Sequence, residues 1–94
     1  MIITYDSRKN LRNIQERGLD FNLALQLDWH TAIVTLDHRK DYEETRYIAS
    51  AMLARRLHIL VFCETSDGIR VISFRKANKR EQQHYEQASK TTNQ

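Results

Sequence analysis

Leu57-His58-Ile59-Leu60-Val61-Phe62-Cys63 and Ile69-Arg70-Val71-Ile72-Ser73-Phe74 are two strand-length apolar runs, joined by the polar segment Glu64-Thr65-Ser66-Asp67-Gly68. β-Branched, aromatic and aliphatic residues dominate both runs, and a glycine closes the segment between them, which predicts a β-hairpin. A three-residue loop Ser66-Asp67-Gly68, with glycine in the left-handed position, sets Glu64 directly opposite Arg70. Working upstream, residues 31–36 and 45–53 have the same character, with polar Arg46 and Ser50 scattered among them. Four strands in series predict an antiparallel meander. Between Leu53 and Leu57, Ala54-Arg55 lacks the Asn, Asp or Gly that a tight primed turn prefers, so the register there stays open, and with it the face that His58 occupies.

Outside the meander the period changes. Residues 1–5 read as a further strand. Asp6 is placed to cap a helix over residues 7–17, with Leu11 and Ile14 on its apolar face and Gly18 placed to end it in a left-handed conformation. A second short helix is expected after Asp20, burying Phe21, Ala24, Leu25 and Leu27. A last helix over residues 79–88 follows Asn78, whose capping-box partner is Glu81, and offers Tyr85 and Ala88 as a narrow apolar contact. The architecture expected is α+β: one domain over residues 1–88, with two N-terminal helices and one C-terminal helix packed on the sheet. Residues 89–94 read as a polar tail that frays.

Composition removes several function classes. The 94 residues include no proline, two glycines and one cysteine. That excludes a Gly-rich phosphate loop, an intrachain disulfide and a multi-cysteine zinc site, and it fits a reducing, cytoplasmic setting. No run approaches the roughly 18 apolar residues of a membrane-spanning helix. The net charge of +3 is unevenly spread: residues 1–68 hold nine Lys/Arg against ten Asp/Glu, whereas residues 69–80 hold five Lys/Arg and no acid. Such a block attracts phosphate, and it also suits a solvated strand-to-helix edge.

The histidines at 30, 38, 58 and 84 show no paired metal-ligand spacing, and the serines lie in no nucleophile elbow. The remaining polar set suits phosphodiester chemistry. Arg46, Arg70, Arg75, Lys76 and Arg80 are cations, and His58, Glu44, Glu64 and Tyr47 are proton-transfer candidates. RNA cleavage by its own 2′-hydroxyl needs a base, cations around the phosphorane and an acid for the leaving oxygen, without metal. Each residue also has a structural reading: His58 as a hydrogen-bonded sheet residue, Glu64 and Arg70 as a cross-strand pair, Tyr47 and Tyr85 as packing residues, Glu43-Glu44 as a solvated loop pair. Arg75-Lys76 stands where the last strand meets a helix N-terminus, which favours anions.

The order Tyr5-Asp6, Lys9-Asn10, Asn13-Ile14, Gly18-Leu19-Asp20-Phe21 and Ala24, then Asp41-Tyr42-Glu43-Glu44-Thr45-Arg46-Tyr47, resembles the BrnT family of toxins. The closing segments Leu57-His58-Ile59-Leu60-Val61-Phe62 and Ile69-Arg70-Val71-Ile72-Ser73-Phe74-Arg75-Lys76-Ala77-Asn78-Lys79-Arg80-Glu81 extend the resemblance over about residues 2–88. It implies a RelE-like fold with an antiparallel sheet, and the toxin role in a bacterial type II toxin–antitoxin pair: a ribonuclease that arrests translation without a cofactor. It also implies a BrnA-like ribbon-helix-helix antitoxin, in a 2:2 complex that binds operator DNA. By matching position, Arg46, His58, Arg70, Arg75 and Lys76 become candidate functional residues; with Glu44 from the proton-transfer candidates, the candidate catalytic set is Arg46, His58, Arg70, Arg75 and Glu44. Lys76, Lys79, Arg80 and Tyr47 become candidate RNA-binding residues. Members often carry glycine where this chain has Glu43, arginine where it has Thr65, and Asp-Gly where it has Ala54-Arg55. A missing arginine at Thr65 bears on activity, which leaves an attenuated toxin acting as corepressor as the alternative.

Overall fold

The computed structural model describes residues 1–92 and contains a five-stranded sheet with helices on both faces. Its centre is the hairpin of β4 (Arg56–Glu64) and β5 (Gly68–Lys76); β3 (Tyr47–Leu53) and β2 (Ile33–Leu36) follow outward from β4. These four strands form the expected antiparallel meander. The sheet as a whole is mixed, however, because β1 (Ile2–Tyr5) pairs parallel with the outer edge of β5. That edge sets Ile3 beside Ile69 and Tyr5 beside Val71, so β1 adds its apolar side to the same core.

Seven consecutive residues of β4 are buried, as a strand covered on both faces requires. One face packs Ala49, Ala51, Leu60, Phe62, Ile69, Val71 and Phe74 against Leu19, Phe21, Ala24 and Leu27. The other packs Leu57, Ile59 and Ala77 beneath the last helix, where Ile48, Met52 and Tyr85 join them.

The first helix, α1 (Ser7–Arg17), begins and ends as predicted. Asp6 accepts from the N–H groups of Arg8 and Lys9 at 2.9 and 3.1 Å, and Gly18 sits at φ 69°. Its inward face is not the predicted one: Leu11 and Ile14 are exposed, while Asn10 and Asn13 are buried. The reason is hydrogen bonding. Asn13 donates to the carbonyls of Leu19 and Phe74 at 2.9 and 3.0 Å, and Asn10 accepts from the Phe21 N–H at 2.7 Å. These contacts dock the helix by pairing backbone groups that burial would otherwise leave unsatisfied.

The second helix is a six-residue 3₁₀ segment, Phe21–Gln26, so the N-terminal half holds one α-helix rather than two. Its three-residue repeat aligns Phe21, Ala24 and Leu27 inward and leaves Leu25 exposed, where an α-helical period had placed Leu25 inside.

The β4–β5 turn departs from expectation, and the β3–β4 turn settles a register that the sequence left open. Glu64 lies opposite Ile69, and Arg70 opposite Cys63, with a bulge at Val61/Phe62. Gly68 belongs to β5 instead of occupying a left-handed turn position. A Cβ there would lie 1.9 Å from the Ile2 carbonyl oxygen, so glycine admits the neighbouring β1 backbone. In the β3–β4 turn, Leu53 pairs with Arg56 and the two loop residues, Ala54 and Arg55, take φ of 48° and 65°. This is the tight primed geometry achieved with residues that disfavour it.

The last helix, α2 (Lys79–Thr92), opens with the predicted capping box: Asn78 Oδ1 accepts from the Glu81 N–H at 2.8 Å, and Glu81 Oε1 accepts from the Asn78 N–H at 2.9 Å. Tyr85 donates to the Thr31 carbonyl at 2.9 Å. The helix passes the expected end at Ala88 and runs to Thr92, since no glycine or proline interrupts it. Asn93 and Gln94, the rest of the expected tail, lie outside the described residues.

Candidate nucleic-acid interface

Cys63 and Arg70 are directly opposed on β4 and β5 and alternate with the first-core residues Phe62, Ile69 and Val71, so both point to the α2 side of the sheet. Glu44, in the segment before β3, reaches over them. Its Oε1 lies 2.8 Å from Arg70 Nη2, 3.5 Å from Arg46 Nη2 and 3.5 Å from the Cys63 Sγ. One carboxylate thus holds two guanidinium groups together. The hydrogen bond from the Cys63 thiol, reinforced by Arg70 and Arg46, keeps Glu44 below its usual carboxylate range despite partial desolvation. It is an anion at neutral pH and no proton donor. Burial, with the neighbouring Glu44 charge, raises Cys63 and keeps it a neutral thiol.

The Glu44–Arg70 pair remains open to solvent, with side-chain exposures of 41% and 43%. Ion pairs this exposed are weak and exchange partners readily. Arg46 is more enclosed. Its guanidinium carbon lies 4.1 Å from the Tyr42 ring centroid, and its buried Nε has no partner among the described residues.

Arg75 alternates with Phe74 and so shares this face. Glu81 grips it with two bonds of 2.8 and 2.9 Å while capping α2, and Arg75 in turn holds the Glu81 carboxyl below its usual range. Arg39 lies near enough to Arg75 to repel it electrostatically. Lys79 and Arg80 are exposed in the first turn of α2.

Four of the residues singled out from sequence lie elsewhere, Glu64 among them because it is paired with Ile69 of the first core. His58 pairs across the ladder with Ala51 and Lys76, which puts it on the opposite face. It is 3% exposed, packs against Phe74 at 5.5 Å, and its Nδ1 bonds the Arg56 carbonyl at 2.8 Å. Burial lowers its pKa, so it is held neutral. Lys76 shares that face at an exposed strand end. Tyr47 also faces away: its ring stacks on Phe62 at 5.6 Å, and its hydrogen bond to Glu64 raises its pKa.

Residues that sequence reading left out of the site are Cys63, which hydrogen-bonds Glu44, and Tyr42, which lies beneath Arg46. Cys63 was missed because the expected register set Glu64 opposite Arg70; Tyr42 stood two residues from Glu44 in the chain without a partner to mark it. Among the described residues no three His, Cys, Asp or Glu side chains converge in a way that could hold a metal ion. No helix among them is long and apolar enough to cross a membrane.

What this arrangement offers chemically is a cluster of arginines neutralised by carboxylates that an incoming anion can replace. Over residues 5–81 the chain matches the family described as ribonuclease toxin, BrnT, of type II toxin–antitoxin system. No curated protein and no solved structure matches it.

Proposed function

The chain belongs to the BrnT family of ribonuclease toxins of type II toxin–antitoxin systems, and from that premise we propose that Arg46, Arg70 and Glu44 form a metal-independent RNA-cleaving site. Membership makes a protein antitoxin its partner. The observation that supports this reading is the convergence of Arg46 and Arg70 on the single, half-exposed carboxylate of Glu44. That carboxylate stands where a phosphate would stand. RNA entering the site takes over the two guanidinium groups, which then stabilise the charge that builds on the phosphorane.

Displacement also changes Glu44. Once its cationic partners turn to phosphate, the part of the lowering due to Arg70 and Arg46 relaxes while the Cys63 hydrogen bond remains, and Glu44 gains basicity for accepting the 2′-hydroxyl proton. The 2′-oxygen forms its bond to phosphorus, the bond to the 5′-oxygen breaks, and the 5′-oxygen takes a proton from water. The products are a 2′,3′-cyclic phosphate and a free 5′-hydroxyl. Arg75, Lys79 and Arg80 guide the RNA backbone toward the site, Arg75 on exchanging Glu81 for phosphate. His58 has no proton-transfer role in this scheme, because it sits on the other face. Translation stops as message is cut, in the cytoplasm, and a BrnA-like ribbon-helix-helix antitoxin neutralises the toxin in a 2:2 complex that binds operator DNA.

The test is expression in a bacterium. Induction of the chain alone is expected to arrest growth and fragment RNA, and Arg70→Ala to abolish both. Normal growth with intact RNA under induction of the unmutated chain would remove the enzyme claim.

A further inference from the structure

Two adjoining clefts of about 440 and 350 Å³ lie beside Glu44, and both are walled by Lys40, Asp41, Tyr42, Glu43 and Arg46. Tyr42 is placed by two neighbours: its hydroxyl interacts with the Asp37 carboxylate, itself clamped by two 2.8 Å bonds from Arg39, and its ring lies 4.1 Å below the Arg46 guanidinium. Asp41 and Glu43, its neighbours in the chain, are exposed and make no hydrogen bond or ion pair among the described residues. Two unpaired carboxylates next to a site for RNA phosphate repel the backbone, so a site that only held the backbone would be better without them. They suit a ligand that brings N–H donors.

We propose that this cleft is a nucleobase subsite that selects guanine for the nucleotide whose phosphate Arg46 and Arg70 hold, a proposal that rests on the phosphate-site reading above. Arg46 joins the two halves, since the one guanidinium covers Tyr42 and reaches Glu44. Tyr42 supplies a rigid aromatic face for stacking, which every base can use. Selection comes from the carboxylates. A carboxylate presents two acceptors side by side, and guanine is the base whose pairing edge presents two adjacent donors, N1–H and N2–H. Adenine, cytosine and uracil each set an acceptor beside their donor, and that acceptor would face the carboxylate lone pairs.

The experiment is an NMR titration of the full chain with 3′-GMP, 3′-AMP, 3′-CMP, 3′-UMP and inorganic phosphate, each also run on Tyr42→Leu and on the double variant Asp41→Asn, Glu43→Gln. Expected is binding of 3′-GMP about tenfold or more tighter than the other three. Tyr42→Leu should weaken every nucleotide about tenfold, clearly more than it weakens inorganic phosphate, which meets Arg46 and Arg70 without the ring. The double variant should erase the guanine preference while its amide spectrum stays folded. Equal affinity for the four nucleotides, or a preference that survives the double variant, overturns the base subsite while phosphate shifts near Arg70 keep the phosphate site standing. Absence of binding by both phosphate and nucleotides overturns both readings.

Discussion

Glu44 carries two consequences that a simple ion-pair role would not. As a neutral replacement, Glu44→Gln is expected to loosen Arg70 and Arg46 from their internal partner, so that inorganic phosphate binds more tightly, while cleavage falls because no carboxylate remains to take the proton. Phosphate titration beside a single-turnover cleavage assay checks both signs, and a variant that cleaves at the full rate would rule out Glu44 as base. His58 makes a separate prediction. Its folded pKa lies below the unfolded value near 6.5, so between the two the unfolded chain binds more protons. Stability is therefore full above about pH 6.5 and is lost as pH falls toward the folded value, by at most about 1.4 kcal/mol per pH unit. Denaturation curves at pH 7.5 and 5 should show that loss, and His58→Gln should reduce the difference between the two. Sequence alone marked Arg46 and Arg70, as basic residues in family-like motifs. It did not show that Glu44 ties them together, because that contact spans 26 positions and depends on how the segment before β3 folds back. His58 looked like a site residue until the register of the Ala54-Arg55 turn assigned its face.

Helix ends were legible where a local rule decides them. Asp6, Gly18 and the Asn78–Glu81 box mark helix ends through hydrogen bonds made within a few residues. The inward face of α1 was not legible, because it is built from asparagines that pair with distant carbonyls, and hydrophobic periodicity is blind to them. Asn13→Ala strips the Leu19 and Phe74 carbonyls of this partner and should cost about 1–3 kcal/mol in chemical denaturation. The β3–β4 turn stores strain in two residues of positive φ. Replacing Ala54-Arg55 by Asn-Gly should relieve it and raise stability by about 1 kcal/mol, or roughly 4–8 °C in melting temperature. An unchanged or lower melting point would show that the turn is not strained. Nothing in residues 1–5 announced a parallel pairing, yet Gly68 records it, since only glycine leaves room for the Ile2 backbone.

Across the whole molecule, the excess charge of residues 69–80 divides between the two faces. Arg70 and Arg75 point to the α2 side, Lys76 to the other, and Lys79 and Arg80 stand at the α2 N-terminus. Only part of the block is therefore gathered on one face, which a count along the chain could not show. Each phosphate contact to single-stranded RNA contributes about 0.7 to the slope of log affinity against log salt, so Lys79→Ala with Arg80→Ala should lower that slope by roughly 1.4. The central claim, that Arg46 and Arg70 on a common carboxylate make this chain cut RNA, is tested most directly by incubating the purified chain with end-labelled RNA in EDTA, beside Arg46→Ala and Arg70→Ala. The account predicts fragments ending in 2′,3′-cyclic phosphate from the unmutated chain and a loss of about 10²–10³-fold in each variant; intact RNA from the unmutated chain, or undiminished cutting by Arg70→Ala, would contradict it.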